Sequence, residues 1–154
     1  MRCAIIHSAE AFSSLAGAWD DLGRRAEPGL FLSHAWLSSW WRAFHGVDEL
    51  WVLTLEADDG QLVAGWPLHL RAPRSGALRV GELRAIGDLS GAAGTGLDRS
   101  IVCQPGRERQ ACAAFIDTLL STRGWDVLDV PTSRRELADA LELALINAGS
   151  KLER

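Results

Sequence analysis

The residues best placed for chemistry border or interrupt a glycine-rich run, "GDLSGAAGTGLD" (87–98). They are Asp88, Ser90, Thr95 and Asp98. Two carboxylates and two hydroxyls around a loop can bind or orient a cationic or hydroxylated substrate, and they can equally do no more than solvate a connection. Gly91 and Gly96 have phosphate-loop spacing, but Leu97-Asp98 stands where Lys-Ser/Thr is needed. No cation is offered to the phosphates and no hydroxyl to magnesium. A dinucleotide G-x-G-x-x-G is absent, and "LDRSIVCQP" follows as a strand-like run, so no helix dipole opens there.

Other reactive groups are scattered. His7, His34, His45 and His69 lack helical i, i+4 pairing and have no cysteine at ligand spacing, so no metal is expected. His34, next to the capping Ser33, reads as a surface or boundary residue. No G-x-S-x-G elbow exists. "RRE" (134–136) is a helix start and not a basic patch. No catalytic, cofactor-binding or metal-binding residue is therefore assigned.

"SHAWLSSWWRAF" (33–44) concentrates three of the seven tryptophans. On a helical wheel Trp36, Leu37, Trp40, Trp41 and Phe44 span roughly 140°, the width of a core-facing stripe. Trp36 and Trp40 lie nearest its middle and are expected to be buried. Trp41, at the edge, is the one expected to reach a cleft or a partner. It joins Asp88, Ser90, Thr95 and Asp98 as a candidate substrate contact. A membrane-surface helix would need a basic opposite face, and this one has only Arg42.

The elements that must position these residues follow from periodicity and caps. "CAIIHS" (3–8) reads as a strand, and Ser8 caps a helix over 9–26 on the stripe Phe12, Leu15, Trp19, Leu22. Ser33 caps a helix over 33–45. Residues 50–73 read as a hairpin about Asp58-Asp59-Gly60. Pro67 inside its second strand demands an edge or a bulge. Residues 77–87 read as β, possibly as two short strands broken at Gly81, and 99–104 as a further short strand. A helix over 107–123 precedes a strand over 125–131. Ser133 and Glu136 form a capping box for a helix over 134–148. The class is α/β (α+β): a mixed sheet in three layers under about four helices. Val52, Leu53, Leu55, Val63, Leu68, Leu70, Val127 and Leu128 are expected in or near its packed faces. The loop 87–98 is expected to be among the most mobile parts.

Composition bounds the rest. A chain of 154 residues is about one domain. A net charge of −4 gives no broad attraction to nucleic acid or anionic lipid. Cys3, Cys103 and Cys112 form no even framework and read as free thiols of a reducing compartment. No run suits a signal peptide or a membrane span, so the expected location is cytoplasmic.

The layout "W-x-x-L" (19–22), "LFLSHAWLSSWWRAF" (30–44), "LWVLTLEADDGQLVAGWPLHLR" (50–71), "GELRAIGD" (81–88) and "GWDVLDVP" (124–131) resembles the N-terminal portion of CelD-like GNAT acetyltransferases of bacteria. That family is associated with cellulose and exopolysaccharide biosynthesis. It is related to FemABX proteins, which set two GNAT-like halves side by side. The most specific pieces are Phe31, Ser33, Trp36, Trp40, and Gly60, Leu62, Val63, Ala64, Gly65, Pro67, Leu68. Gly94-Thr95-Gly96 also resembles the end of a GNAT acyl-CoA loop. The resemblance implies a single GNAT-like domain over 1–154, the N-terminal half of a longer acyl-CoA-dependent N-acyltransferase. The acyl-CoA would sit in a second domain, in cis if the gene continues, and the acceptor would be a small-molecule or sugar-linked amine. The isolated chain would be inactive, and no catalytic residue of the family carries over. Two alternatives stay open: a non-enzymatic interaction module and a complete small acetyltransferase.

Overall fold

A computed structural model describes residues 1–71, 74–75, 78–87, 100–129 and 134–149, with the side chains of 74–75 and 78–79 set aside. The strands are β1 (Arg2–Ile6), β2 (Glu49–Glu56), β3 (Leu62–Arg71), β4 (Arg74–Ser75), β5 (Leu78–Arg79), β6 (Glu82–Ala85), β7 (Val102–Cys103) and β8 (Val127–Asp129). The helices are α1 (Ala9–Ser14), α2 (Ala16–Ala26), α3 (His34–Phe44), α4 (Glu108–Ser121) and α5 (Arg135–Asn147). The main sheet runs β1-β2-β3-β6-β8, with β7 also paired to β3. Neighbours are antiparallel except β6 and β8, which are parallel.

Period-two alternation assigns each strand's side chains to one of two cores. Leu50, Val52, Ile86 and Val102 pack with Phe12, Trp19, Leu37, Trp40 and Trp41 under α1–α3. Leu53, Leu55, Trp66, Leu68 and Leu83 pack with Phe115, Leu119, Leu137 and Leu141 under α4 and α5. The three-layer mixed α/β architecture is as the sequence predicts, with five helices among the described residues in place of about four.

The fifth helix arises because the expected helix over 9–26 breaks at Leu15, whose ψ of −3° tightens the turn. The Leu15 N–H donates to the Phe12 carbonyl at 3.1 Å, an i−3 bond. Ser13-Ser14 and Gly17 flank the break. Ser14 Oγ donates to the Ala11 carbonyl at 2.7 Å, the local competition that weakens helices at serine. His34, expected at the surface, is buried at 7 % exposure. Its Nε2–H donates to the Phe12 carbonyl at 2.9 Å, beside the break.

Pro67 meets the first of the two expectations, a local edge: neither β6 nor β7 pairs with it. It lies inside β3, opposite Val52 of β2. Its carbonyl accepts from Ile86 N–H at 2.9 Å. In a strand a residue's N–H and C=O point to the same side, so its missing donor faces β6 and β7. There β6 pairs Leu68–Arg71 and β7 pairs Ala64–Gly65. Pro67 stands at the seam between them. The sheet's one irregularity in this hairpin lies elsewhere: Leu55 pairs Ala64 and Glu56 pairs Leu62, leaving Val63 extra.

Further corrections concern burial and caps. Trp40 is buried as expected, but Trp36 is only half-buried. Trp41, expected at the stripe's edge and at a cleft or partner, is buried at 6 % exposure yet lines a cleft between α1 and α3. Val127 is 44 % exposed, because β8 is the last strand of the sheet. The cap of α5 is Arg134, with no side-chain capping bond; Ser133 lies outside the described residues. Ser8 and Ser33 do cap α1 and α3, accepting from Ala11 and Trp36 amides. As expected, two short strands, β5 and β6, are separated about Gly81.

Candidate functional site

The seam at Pro67 creates an interruption in the sheet. β7 continues the line of β6 along β3, while β8 bonds to β6 alone, at Glu82–Arg84. Among the described residues no strand covers the outer side of β7. α4 begins just after β7, so its N-terminal amides are the natural place to look for an anion site.

Two backbone donors just ahead of α4 are already engaged. Gly106, at φ +81°, donates its N–H to Glu108 Oε1 at 3.2 Å. The Arg107 N–H donates to the Gln104 carbonyl at 3.1 Å, and the Arg107 guanidinium is held by Gln110 Oε1 at 3.0 Å. The Glu108 carboxylate thus sits beside the turn that leads into α4, where it disfavours a second anion. Behind it, burial pushes the thiol of Cys103 up to about 12, with Glu108 adding and Arg134 and Arg107 opposing. Burial does the same to Cys112, again to about 12, helped by Cys103 and Glu108.

The richer group of polar side chains lies on the opposite face of the sheet. His69 of β3 is 3 % exposed. Its Nδ1 is 2.9 Å from Asp48 Oδ2. A carboxylate only accepts, so Nδ1 carries the proton of that bond. The rings of Trp40 and Trp41 lie 5.6 and 6.4 Å from the imidazole. Next along the sheet, Arg84 of β6 stands opposite His69. Arg84 Nη2 meets Glu82 Oε1 at 3.0 Å and Asp129 Oδ2 at 3.5 Å. Arg84 and Glu82 are half-buried and Asp129 is exposed. Among the described residues this guanidinium therefore lies between two carboxylates of neighbouring strands.

Of the residues singled out in the sequence, Trp41 sits on α3 over His69, with its ring edge-on to His45 at 5.0 Å. Asp88, Ser90, Thr95 and Asp98 lie outside the described residues, as does the loop expected to be mobile. The sequence reading missed Asp48, His69, Glu82, Arg84 and Asp129. A signal existed for Glu82 and Arg84, which alternate with buried Leu83 and Ala85 in "ELRA". His69 is a lone polar residue between Leu68 and Leu70. Nothing in the sequence pairs it with Asp48, because that contact joins the turn after α3 to a strand 21 residues away. Among the described residues no cluster suits a metal ion, and no helix is long and apolar enough to cross a membrane.

No family model matches the chain, and no curated protein matches it in sequence. Solved structures do resemble it. One is a mutant of the BH1408 protein from Bacillus halodurans, 11 % identical, TM-score 0.52, matching 100 % of this chain and 95 % of that one. Another is described as a probable acetyltransferase, 17 % identical, TM-score 0.50, matching 100 % of this chain and 92 % of that one. At such identities the likeness is one of fold. The fold is GNAT-like: a mixed sheet between two helical layers.

Proposed function

We propose that this chain is the acceptor-side, GNAT-like domain of an acyl-CoA-dependent N-acyltransferase. It would shape the substrate cleft with a catalytic second domain that carries the acyl-CoA. The acceptor is an amine, small-molecule or sugar-linked, for which the carboxylates of Glu82 and Asp129 are the acidic groups at hand. The CelD-like kinship suggested by the tryptophan stretch and the hairpin belongs to the same reading, as does a part in exopolysaccharide assembly.

The observation that carries it is the Glu108 carboxylate on the Gly106 amide. It places an anion at the head of α4, where a donor domain of this fold would have to receive phosphates. Calorimetry with acetyl-CoA is the test. The expected result is no heat of binding up to about millimolar ligand, with weak binding gained in Glu108→Ala. Micromolar binding by the parent chain, lost in Gly106→Pro, would overturn the reading. It would favour a second one, a complete small acetyltransferase. That alternative draws support from the end-to-end match with a structure described as a probable acetyltransferase.

A further inference from the structure

A second concavity lies away from the sheet, between α1 and α3. It encloses about 440 Å³, within the range of small-molecule sites. Its lining includes Phe12, His34 and Trp41, each more than nine-tenths buried. The walls are kept apart by small side chains, among them Ala9, Ser13 and Ala35.

The polar groups in this cleft are oriented but not consumed. His34 Nε2–H is committed to the Phe12 carbonyl at 2.9 Å, so Nδ1 is the ring nitrogen left for other partners. The nearest donor to Nδ1 is Ser38 Oγ at 3.4 Å, longer than a well-formed O–H···N bond. The same oxygen is 3.5 Å from Nε2, so it lies off the line of the Nδ1 lone pair. On its Nδ1 side the buried imidazole thus holds only this long contact with Ser38, itself a residue of the lining.

Charge of both signs is also present. Glu10 of α1 and Arg42 of α3 line the cleft and are exposed. Among the described residues neither has an ion pair. Arg42 makes only a long contact, Nε to the Ser38 carbonyl at 3.4 Å. An acid and a base that line one cleft without pairing to each other complement a ligand that carries both charges.

We propose that the cleft between α1 and α3 binds a small zwitterion, an amino acid or dipeptide. In the dipeptide the ammonium faces Glu10, the carboxylate faces Arg42, and the peptide N–H lies toward His34 over the Trp41 floor. This site is independent of the acyltransferase reading and stands or falls separately from it.

The test is an amide-resolved NMR titration with glycylglycine, beside N-acetylglycylglycine, which lacks the ammonium, and glycylglycinamide, which lacks the carboxylate. Expected are shifts confined to residues 9–13 and 34–42, and affinity at least about tenfold weaker for either control, since each loses a charge-assisted bond. Glu10→Gln should erase the discrimination against the N-acetyl compound, and Arg42→Gln that against the amide. Both residues are exposed, so the variants keep the fold, which circular dichroism checks. No localised shift up to about 50 mM, a free energy under about 2 kcal/mol, would overturn the proposal. Equal binding of all three compounds would do the same.

Discussion

The six-membered ring of Trp19 occupies the space where Gly65 would carry a side chain. A Cβ built on Gly65 would lie 2.5 Å from Trp19 Cη2 and 2.6 Å from Cζ3. The indole cannot withdraw freely, because it is buried at 1 % exposure and its Nε1–H donates to the Leu32 carbonyl at 2.9 Å. α2 thus docks on β3 through a glycine that has no part in a turn.

Gly65→Ala is therefore expected to lower stability by about 1–3 kcal/mol through overpacking. Trp19→Phe, which removes the clashing atoms, should make the second substitution cheaper. A urea-melt double-mutant cycle should show a coupling of at least about 0.5 kcal/mol. Strict additivity would mean that α2 shifts rather than clashes.

Trp40→Ala should cost about 3–5 kcal/mol, as a large cavity at a buried indole. Trp36→Ala should cost clearly less, since Trp36 is half-buried at the margin of that core and meets Phe31 edge-on at 5.3 Å between ring centroids. The order of the two denaturation midpoints is the measurement. A reversed order would refute the assignment of α3's inward face.

The buried thiols set a pH window. Cys103 and Cys112 rise from 9.0 to about 12. A raised thiol favours the fold fully below the unfolded value near 9, and that contribution is lost as pH climbs from 9 toward 12. The native protein should thus lose stability across that alkaline range, and Cys103→Ser/Cys112→Ser should flatten the loss. At pH 8 only about one in ten thousand of these thiols is thiolate. Aromatic disulfide reagents should then modify both slowly until urea exposes them. Rapid native labelling of either cysteine would contradict the burial.

Asp126 closes the start of the β6–β8 pairing. Its Oδ2 accepts from Gly81 N–H at 2.7 Å, while the Gly81 carbonyl accepts from Asp126 and Val127 amides. Asp126→Ala leaves the Gly81 amide without that partner and should cost about 1–3 kcal/mol. Proteolysis should then cut preferentially near 124–129. An unchanged melt would show that the backbone pair alone holds β8.

What was legible in the sequence was whatever is local. Ser8 and Ser33 announce their helices because a cap acts within three residues. The stripe of α4 and the turn at Asp58-Asp59-Gly60 are likewise short-range. Trp41 does reach a cleft, but a wheel orders residues about one axis and could not show that α1 lies alongside and forms its other wall. His34 was misjudged because its partner, the Phe12 carbonyl, is exposed to it by a helix break that no single residue dictates. The pairing of His69 with Asp48, and of Arg84 with Asp129, depends on sheet order. Alternation gives a strand's face but never its neighbour. The candidate loop residues Asp88, Ser90, Thr95 and Asp98 gained nothing from the fold, since they lie outside the described residues.

Pro67 also shows what holds β6 and β7 in line. β3 acts as a splint: it holds β6 at one end and β7 at the other, and the proline sits where the two fall short of each other. At such a gap any other residue would present an N–H with no ladder partner, and a residue with no N–H to give loses nothing there.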